Sequence, residues 1–222
     1  MCKVLIIGDS SVLPREELSL LKTFYSQIKS KMNIDIENSS VSNNNSYNIY
    51  TNLKAFMLHG YTPDTVILNY GIVDVFPRPY PNKIYRLLSC TGLLPQIDKI
   101  LKKTKLYYKL GDLFNFKEVK LRNFKIYSEG IVQKLLDENV KKILIIGIIK
   151  PSKILLNSKT IKSEVISYNM VYKDLAQKYE EVHYIDIYND TNEDFTIWDG
   201  YHYSEVASDY LAKQIEKLIR ND

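Results

Sequence analysis

Short apolar runs rich in β-branched residues alternate along this chain with stretches of helical periodicity, about five times over. Lys3 to Ile7, Thr65 to Leu68, Lys142 to Ile149 and Glu181 to Ile187 read as strands, and Asn33 to Glu37 as a less apolar one. The run from Lys142 is nearly all Ile and Leu, as expected of a strand buried on both faces. Strands that alternate with helices pair in parallel, because each crossover helix returns the chain to the starting edge. The pattern therefore predicts an α/β fold: a parallel sheet of about five strands with helices on both faces. Helices are expected over Pro14 to Lys31, Tyr50 to Leu58, 96–108, 117–138, Ser158 to Tyr179 and Ser204 to Arg220. Between Asp74 and Pro95 four prolines demand irregular structure, and the Ser- and Asn-rich tract from Asn38 to Asn48 has loop chemistry.

No internal repeat, low-complexity tail or linker interrupts the 222 residues, so residues 1–222 read as one domain. Two cysteines, Cys2 and Cys90, lie far apart in no metal or disulfide spacing. That usage suits a reducing compartment, and the expected location is the cytoplasm. The apolar run at the N-terminus is too short for a signal core, and no stretch approaches the ~20 apolar residues that span a bilayer. A net charge of +4 is too mild to mark a nucleic-acid binder. The lysines do cluster (Lys99, Lys102, Lys103, Lys105, Lys109), either as a solvated helix face or as an electropositive rim for anionic sugars or nucleotide-linked substrates. No cofactor and no metal site is expected, and the oligomeric state is not legible.

In parallel sheets, ligands bind beyond the carboxyl ends of the strands. Four segments of this chain fall on that edge: Gly8-Asp9-Ser10 after the first strand, the Asn-rich loop, Gly71 to Asp74, and Asp199-Gly200-Tyr201-His202 before the last helix. Ser10 is a candidate nucleophile, His202 its base and Asp199 the orienting acid, a Ser-His-Asp arrangement recognised by geometry and not by chain order. Their plainer readings are a turn or helix-cap serine and a structural histidine. His59 and His183 are expected to be non-catalytic, and Asp9 to hold its turn.

In these blocks the chain resembles the SGNH (GDSL-type) hydrolase family. Ile6-Ile7-Gly8-Asp9-Ser10 is similar to the family's nucleophile segment, and Asp199-Gly200-Tyr201-His202 to its Asp-x-x-His segment. The resemblance implies a flavodoxin-like three-layer α/β/α sandwich and a serine esterase. The other two blocks depart. Gly71-Ile72-Val73-Asp74 carries Val73 where the family has an Asn that donates to the oxyanion, and Asn43 stands where it has a Gly. Backbone N–H groups survive any substitution, so Ser10 and Asn43 are the candidate oxyanion donors. The side chains of Asn43, Asn44 and Asn69 are further donor candidates. Gly71 to Arg78 resembles a family variant found with bacterial surface-polysaccharide gene clusters, in which Val at that position is habitual. Asp74 and Arg78 become candidate substrate contacts, Arg78 for a carboxylate or phosphate; Asp74 has an alternative role in bonding the loops around the site. The implied substrate is an acylated carbohydrate, and the implied activity an O-acetylesterase. The alternatives are a glycan O-acyltransferase and a catalytically weak binding protein of the same fold.

Overall fold

In the computed structural model the apolar runs become five parallel strands, β1 (Lys3–Gly8), β2 (Asp35–Asn38), β3 (Thr65–Asn69), β4 (Lys142–Ile146) and β5 (Val182–Ile185). They lie in the order β2-β1-β3-β4-β5, and every neighbouring pair is parallel. This is the flavodoxin-like order, with the topological switch point between β1 and β3. The structure describes residues 2–32, 34–57, 62–104, 106–152, 157–190 and 195–220. His59 lies outside them, as do Gly60 and the end expected for the second helix.

Alternate residues of each strand feed two separate cores, the period-two geometry of a pleated strand. Leu5, Ile7, Val66, Leu68, Ile143 and Ile145 face one layer of helices: α2 (Ser46–Phe56), α7 (Leu121–Asp137) and α8 (Ile161–Lys178). Val4, Ile6, Ile67, Leu144 and Ile146 face the other, α1 (Phe24–Met32) and α9 (Glu205–Arg220). Both faces being covered is why these strands read as unbroken apolar runs. The one charged residue of β4, Lys142, keeps its ammonium satisfied by donating to Leu218 O at 2.6 Å. A four-residue helix, α3 (Ile72–Val75), follows β3, and three helices fill the long connection before α7: α4 (Asn82–Cys90), α5 (Leu94–Lys103) and α6 (Leu106–Phe114).

Two expected helices need correction, the first one and the one over 96–108. The first helix begins at Phe24, not Pro14. Arg15 and Leu18 instead bond each other across a tight turn, N to O at 2.8 and 3.1 Å, and a short 3-10 helix (Leu20–Lys22) follows. The leucines that looked like one helical stripe part company: Leu18 is buried while Leu21 is 81% exposed. Residues 14–22 therefore form a loop over the carboxyl edge of β1. In the proline-rich stretch residues 76–81 are irregular, as expected, while Pro81 caps α4 and Pro95 sits in the first turn of α5, the one place a helix accepts it. Pro81 and Pro95 thus start helices, while Pro77 and Pro79 lie in the irregular part. The single helix expected over 96–108 is divided between α5 and α6.

Candidate active site

Gly8 closes β1 because nothing larger fits. A Cβ there would lie 2.6 Å from Asn69 O and 2.7 Å from Val12 Cγ2. The chain then turns sharply. Asp9 N–H donates to Asn69 O (2.9 Å), and the Asp9 carboxylate turns back to accept from Ser11 N–H (2.8 Å). Asp9 thus holds the turn that lifts Ser10 clear of the sheet. Burial pushes its carboxyl up to about 6, although the Ser11 bonds and the nearby His202 and Arg15 pull the other way.

At the other end of the chain, the turn before α9 brings Asp199 and His202 to the same edge. Asp199 Oδ1 accepts from the N–H groups of Tyr201 and His202, both at 3.1 Å, and Oδ2 lies 2.6 Å from His202 Nδ1. Burial alone would raise the Asp199 carboxyl. The bonds from the His202 ring and from the two N–H groups outweigh it and hold the group below its usual 3.8. An ionised carboxylate only accepts, so Nδ1 carries the proton and Nε2 presents its lone pair. Ser10 Oγ is 2.9 Å from that Nε2. The structure brings Ser10, His202 and Asp199 into one hydrogen-bonded chain, although Ser10 and His202 are 192 positions apart.

The chain opens into a cleft of about 380 Å³. It is lined by Ser42 and Asn43, by Ile72, Val73 and Phe76 after β3, and by Tyr85, Asp98 and Tyr107 of α4–α6. Asn43 has φ +59°, the left-handed conformation for which Gly is the natural residue and Asn the best-tolerated substitute. Among the described residues, neither the Ser10 nor the Asn43 N–H is bonded within the protein. Asn44 and Asn69 are buried and committed elsewhere, donating to Gly8 O (3.3 Å) and Tyr203 Oη (2.6 Å). Val73 borders the cleft without a side-chain donor.

The two candidate substrate contacts sit differently. Asp74 is fully buried, away from the cleft lining, and accepts from Ser46 N–H (3.0 Å) and Ser46 Oγ (2.6 Å). It ties α3 to the start of α2 and so sets the loop that carries Asn43. Burial pushes it up to about 7, against the bonds from Ser46. Arg78 does line the cleft, with Nη1 3.0 Å from Glu118 Oε2 and its guanidinium 4.5 Å above the Tyr85 ring. His183 lies on β5, and Cys90 is exposed at the end of α4.

Sequence reasoning missed Arg15. Its Nη2 donates to Ser10 O (3.2 Å) and lies against His202 Nε2. Reading residues 14–31 as a helix gave it no part in the site. The available signal was repetition: Pro14-Arg15 and Pro77-Arg78 are the chain's two Pro-Arg pairs, and both arginines reach the cleft. The aromatic wall was missed too. Phe76 packs edge-on against Tyr107 and Tyr201, and Tyr201 lies 4.2 Å from the His202 ring.

Solved structures share this architecture. The chain has the fold of GDSL lipases and esterases. A lipase/acylhydrolase from Enterococcus faecalis matches with a TM-score of 0.70 at 14% identity, over 100% of this chain and 96% of that one. An acetyl xylan esterase from Geobacillus stearothermophilus matches at 0.65 and 17%, over 97% and 93%. A putative lipolytic protein of the G-D-S-L family from Desulfitobacterium hafniense matches at 0.63 and 12%, over 98% and 99%. No family model matches the chain, and no curated protein matches it by sequence. At such identities the GDSL-type fold is what the likeness carries. Among the described residues no helix is long and apolar enough to cross a membrane, and no group of three or more His, Cys, Asp or Glu is placed to hold a metal ion.

Proposed function

We propose that this chain is a serine ester hydrolase that removes O-acetyl groups from a carbohydrate or surface-polysaccharide precursor. The observation that carries the reading is the Ser10–His202–Asp199 chain opening into a cleft walled by aromatic rings. Ser10 Oγ attacks the acyl carbon while His202 Nε2 takes its proton, and Asp199 stabilises the imidazolium. The negative oxygen that forms receives the N–H groups of Ser10 and Asn43. The bond from the acyl carbon to the sugar oxygen then breaks, and Nε2 returns the proton to that oxygen. Water attacks the acyl-enzyme, gives its proton to Nε2, and acetate leaves as Ser10 regains its hydrogen. Aromatic faces such as Phe76 and Tyr85 suit the C–H faces of a sugar ring, and acetyl xylan esterases among the structural neighbours support a carbohydrate ester. Unbridged Cys2 and Cys90 support a cytoplasmic setting.

Val73 favours a second reading, a catalytically weak carbohydrate-binding protein, because one oxyanion donor is worth about 10²–10³ in rate. Intact mass after incubation with a fluorophosphonate separates the two. We expect one adduct on the wild type and none on Ser10→Ala, followed by acetate release from acetylated sugars. Labelling of Ser10→Ala at the wild-type rate refutes the mechanism. No adduct on either protein leaves the binding reading standing.

A further inference from the structure

Two donors converge on a single lone pair in this site. With Nδ1 protonated toward Asp199, His202 Nε2 has one lone pair, and that lone pair must take the Ser10 proton. Ser10 Oγ reaches it at 2.9 Å, and Arg15 Nη2 lies against the same atom. A guanidinium carries donors only and does not give up its proton, so Arg15 has nothing to exchange with His202. In this position it competes with Ser10 for the base.

Arg15 is also a charge without an answer. Among the described residues it meets no carboxylate within ion-pair distance, and its Nε is buried with no partner. Asp9 feels its charge but gives its own bond to Ser11. Arg78, across the cleft, is by contrast already paired with Glu118 and stacked on Tyr85. The loop that holds Arg15 is built for it: the Arg15–Leu18 turn fixes the backbone, and buried Leu18 pins the loop to the body. The segment 82–114, which supplies Tyr85, Asp98 and Tyr107, holds seven Lys or Arg against two Asp, in a chain whose whole net charge is only +4.

We propose that Arg15 is the anion-binding residue of this cleft, and that the substrate is a sugar ester bearing a carboxylate or phosphate. That oxyanion takes the guanidinium fork, draws it off Nε2, and leaves the lone pair to Ser10. In the free protein Arg15 shares the base with Ser10, which slows attack on an uncharged ester without stopping it, and a substrate with the right charge removes that competition. The inference deepens the esterase reading and rests on it for the word substrate, although the anion site does not need turnover.

The test is calorimetric titration of the full chain with D-glucuronate, α-D-glucose 1-phosphate and, as the neutral control, D-glucose. One of the two anions should bind at least about tenfold tighter than glucose, the scale of a charged hydrogen bond. Arg15→Met should bring it down to the level of glucose, and Arg15→Lys should restore part of the difference. A purely structural role would move glucose and the anions together. Preference for glucuronate identifies a carboxylate, and preference for the phosphate a phosphosugar or nucleotide-linked one. Glucose binding as well as both anions overturns the proposal, as does an Arg15→Met protein that keeps the preference. Should Arg15→Met fail to fold by circular dichroism, Arg15→Gln replaces it in the same comparison. A protein that binds acidic sugars through Arg15 yet never labels with fluorophosphonate refutes the esterase reading alone. One that labels but shows no anion preference refutes this proposal alone.

Discussion

Replacing Gly200 by alanine strikes the triad from its hinge. Gly200 lies between Asp199 and His202 with φ +84°, donates to Ile197 O at 3.1 Å and accepts from Ser152 N–H at 3.0 Å. A Cβ here would stand 1.9 Å from Ser152 O, and ordinary contact begins at 3.4 Å, so the two backbones must part by about 1.5 Å. The left-handed backbone penalty, the overlap and the lost bond from Ser152 together cost about 3–5 kcal/mol. For a domain of this length that lowers Tm by about 10 °C. The catalytic effect exceeds the stability effect, because a misplacement of about 1 Å costs on the order of 10² in rate. Here the displaced turn carries both Asp199 and His202. The assay pairs a thermal melt with the rate of fluorophosphonate labelling at a temperature where the variant is folded. We expect labelling about a hundredfold slower or worse. Wild-type labelling with an unmoved Tm refutes the steric argument. A lowered Tm with wild-type labelling shows that the Ser152 side yields and refutes the link from turn to triad.

Folding stability should fall as the pH rises from 5 to 8. Asp9 and Asp74 sit at about 6 and about 7 in the fold against 3.8 in the unfolded chain, so the folded state binds their protons more tightly. Their contribution is full below the unfolded value and is lost as the pH passes the folded ones. At ~1.4 kcal/mol per pH unit, Asp9 alone accounts for about 1.4 kcal/mol between pH 5 and its folded value of about 6. Urea midpoints at pH 5 and 8 read the difference, and a midpoint that rises with pH contradicts the assignment. Val73→Asn should speed hydrolysis of a small ester such as p-nitrophenyl acetate, by up to about 10²-fold for one restored oxyanion donor. Slower turnover would show that Val73 shapes the acyl pocket and that the oxyanion is held elsewhere.

Much of the fold is written in local chemistry. Unbroken runs of Val, Ile and Leu between helical stretches are enough for a parallel sheet with both faces covered, since only that arrangement buries them all. The sharp turn after Gly8 and the Asp199-to-His202 spacing mark the two ends of the site, because each is a short segment whose geometry depends on its own residues. The loop from Pro14 misled for the opposite reason. Its leucine spacing suits a helix, and what cancels the helix is the burial of Leu18 and the Arg15–Leu18 turn, which depend on the packed fold. The same packing turns Arg15 from a surface charge into a neighbour of His202. Asp74 shows the other face of this rule. Its four-residue block suggested a place at the site, and the fold buries it beneath the loop it anchors to Ser46.

By itself the sequence determined the layers of this protein, the strand that carries the serine and the turn that carries the histidine, because hydrophobic period and turn chemistry act over a few residues. Only the tertiary structure decided which charges meet across the cleft. Whether an arginine is solvated, paired like Arg78 or left facing a histidine ring like Arg15 depends on partners brought together from distant parts of the chain, and electrostatic energy depends on those distances and on the burial they create.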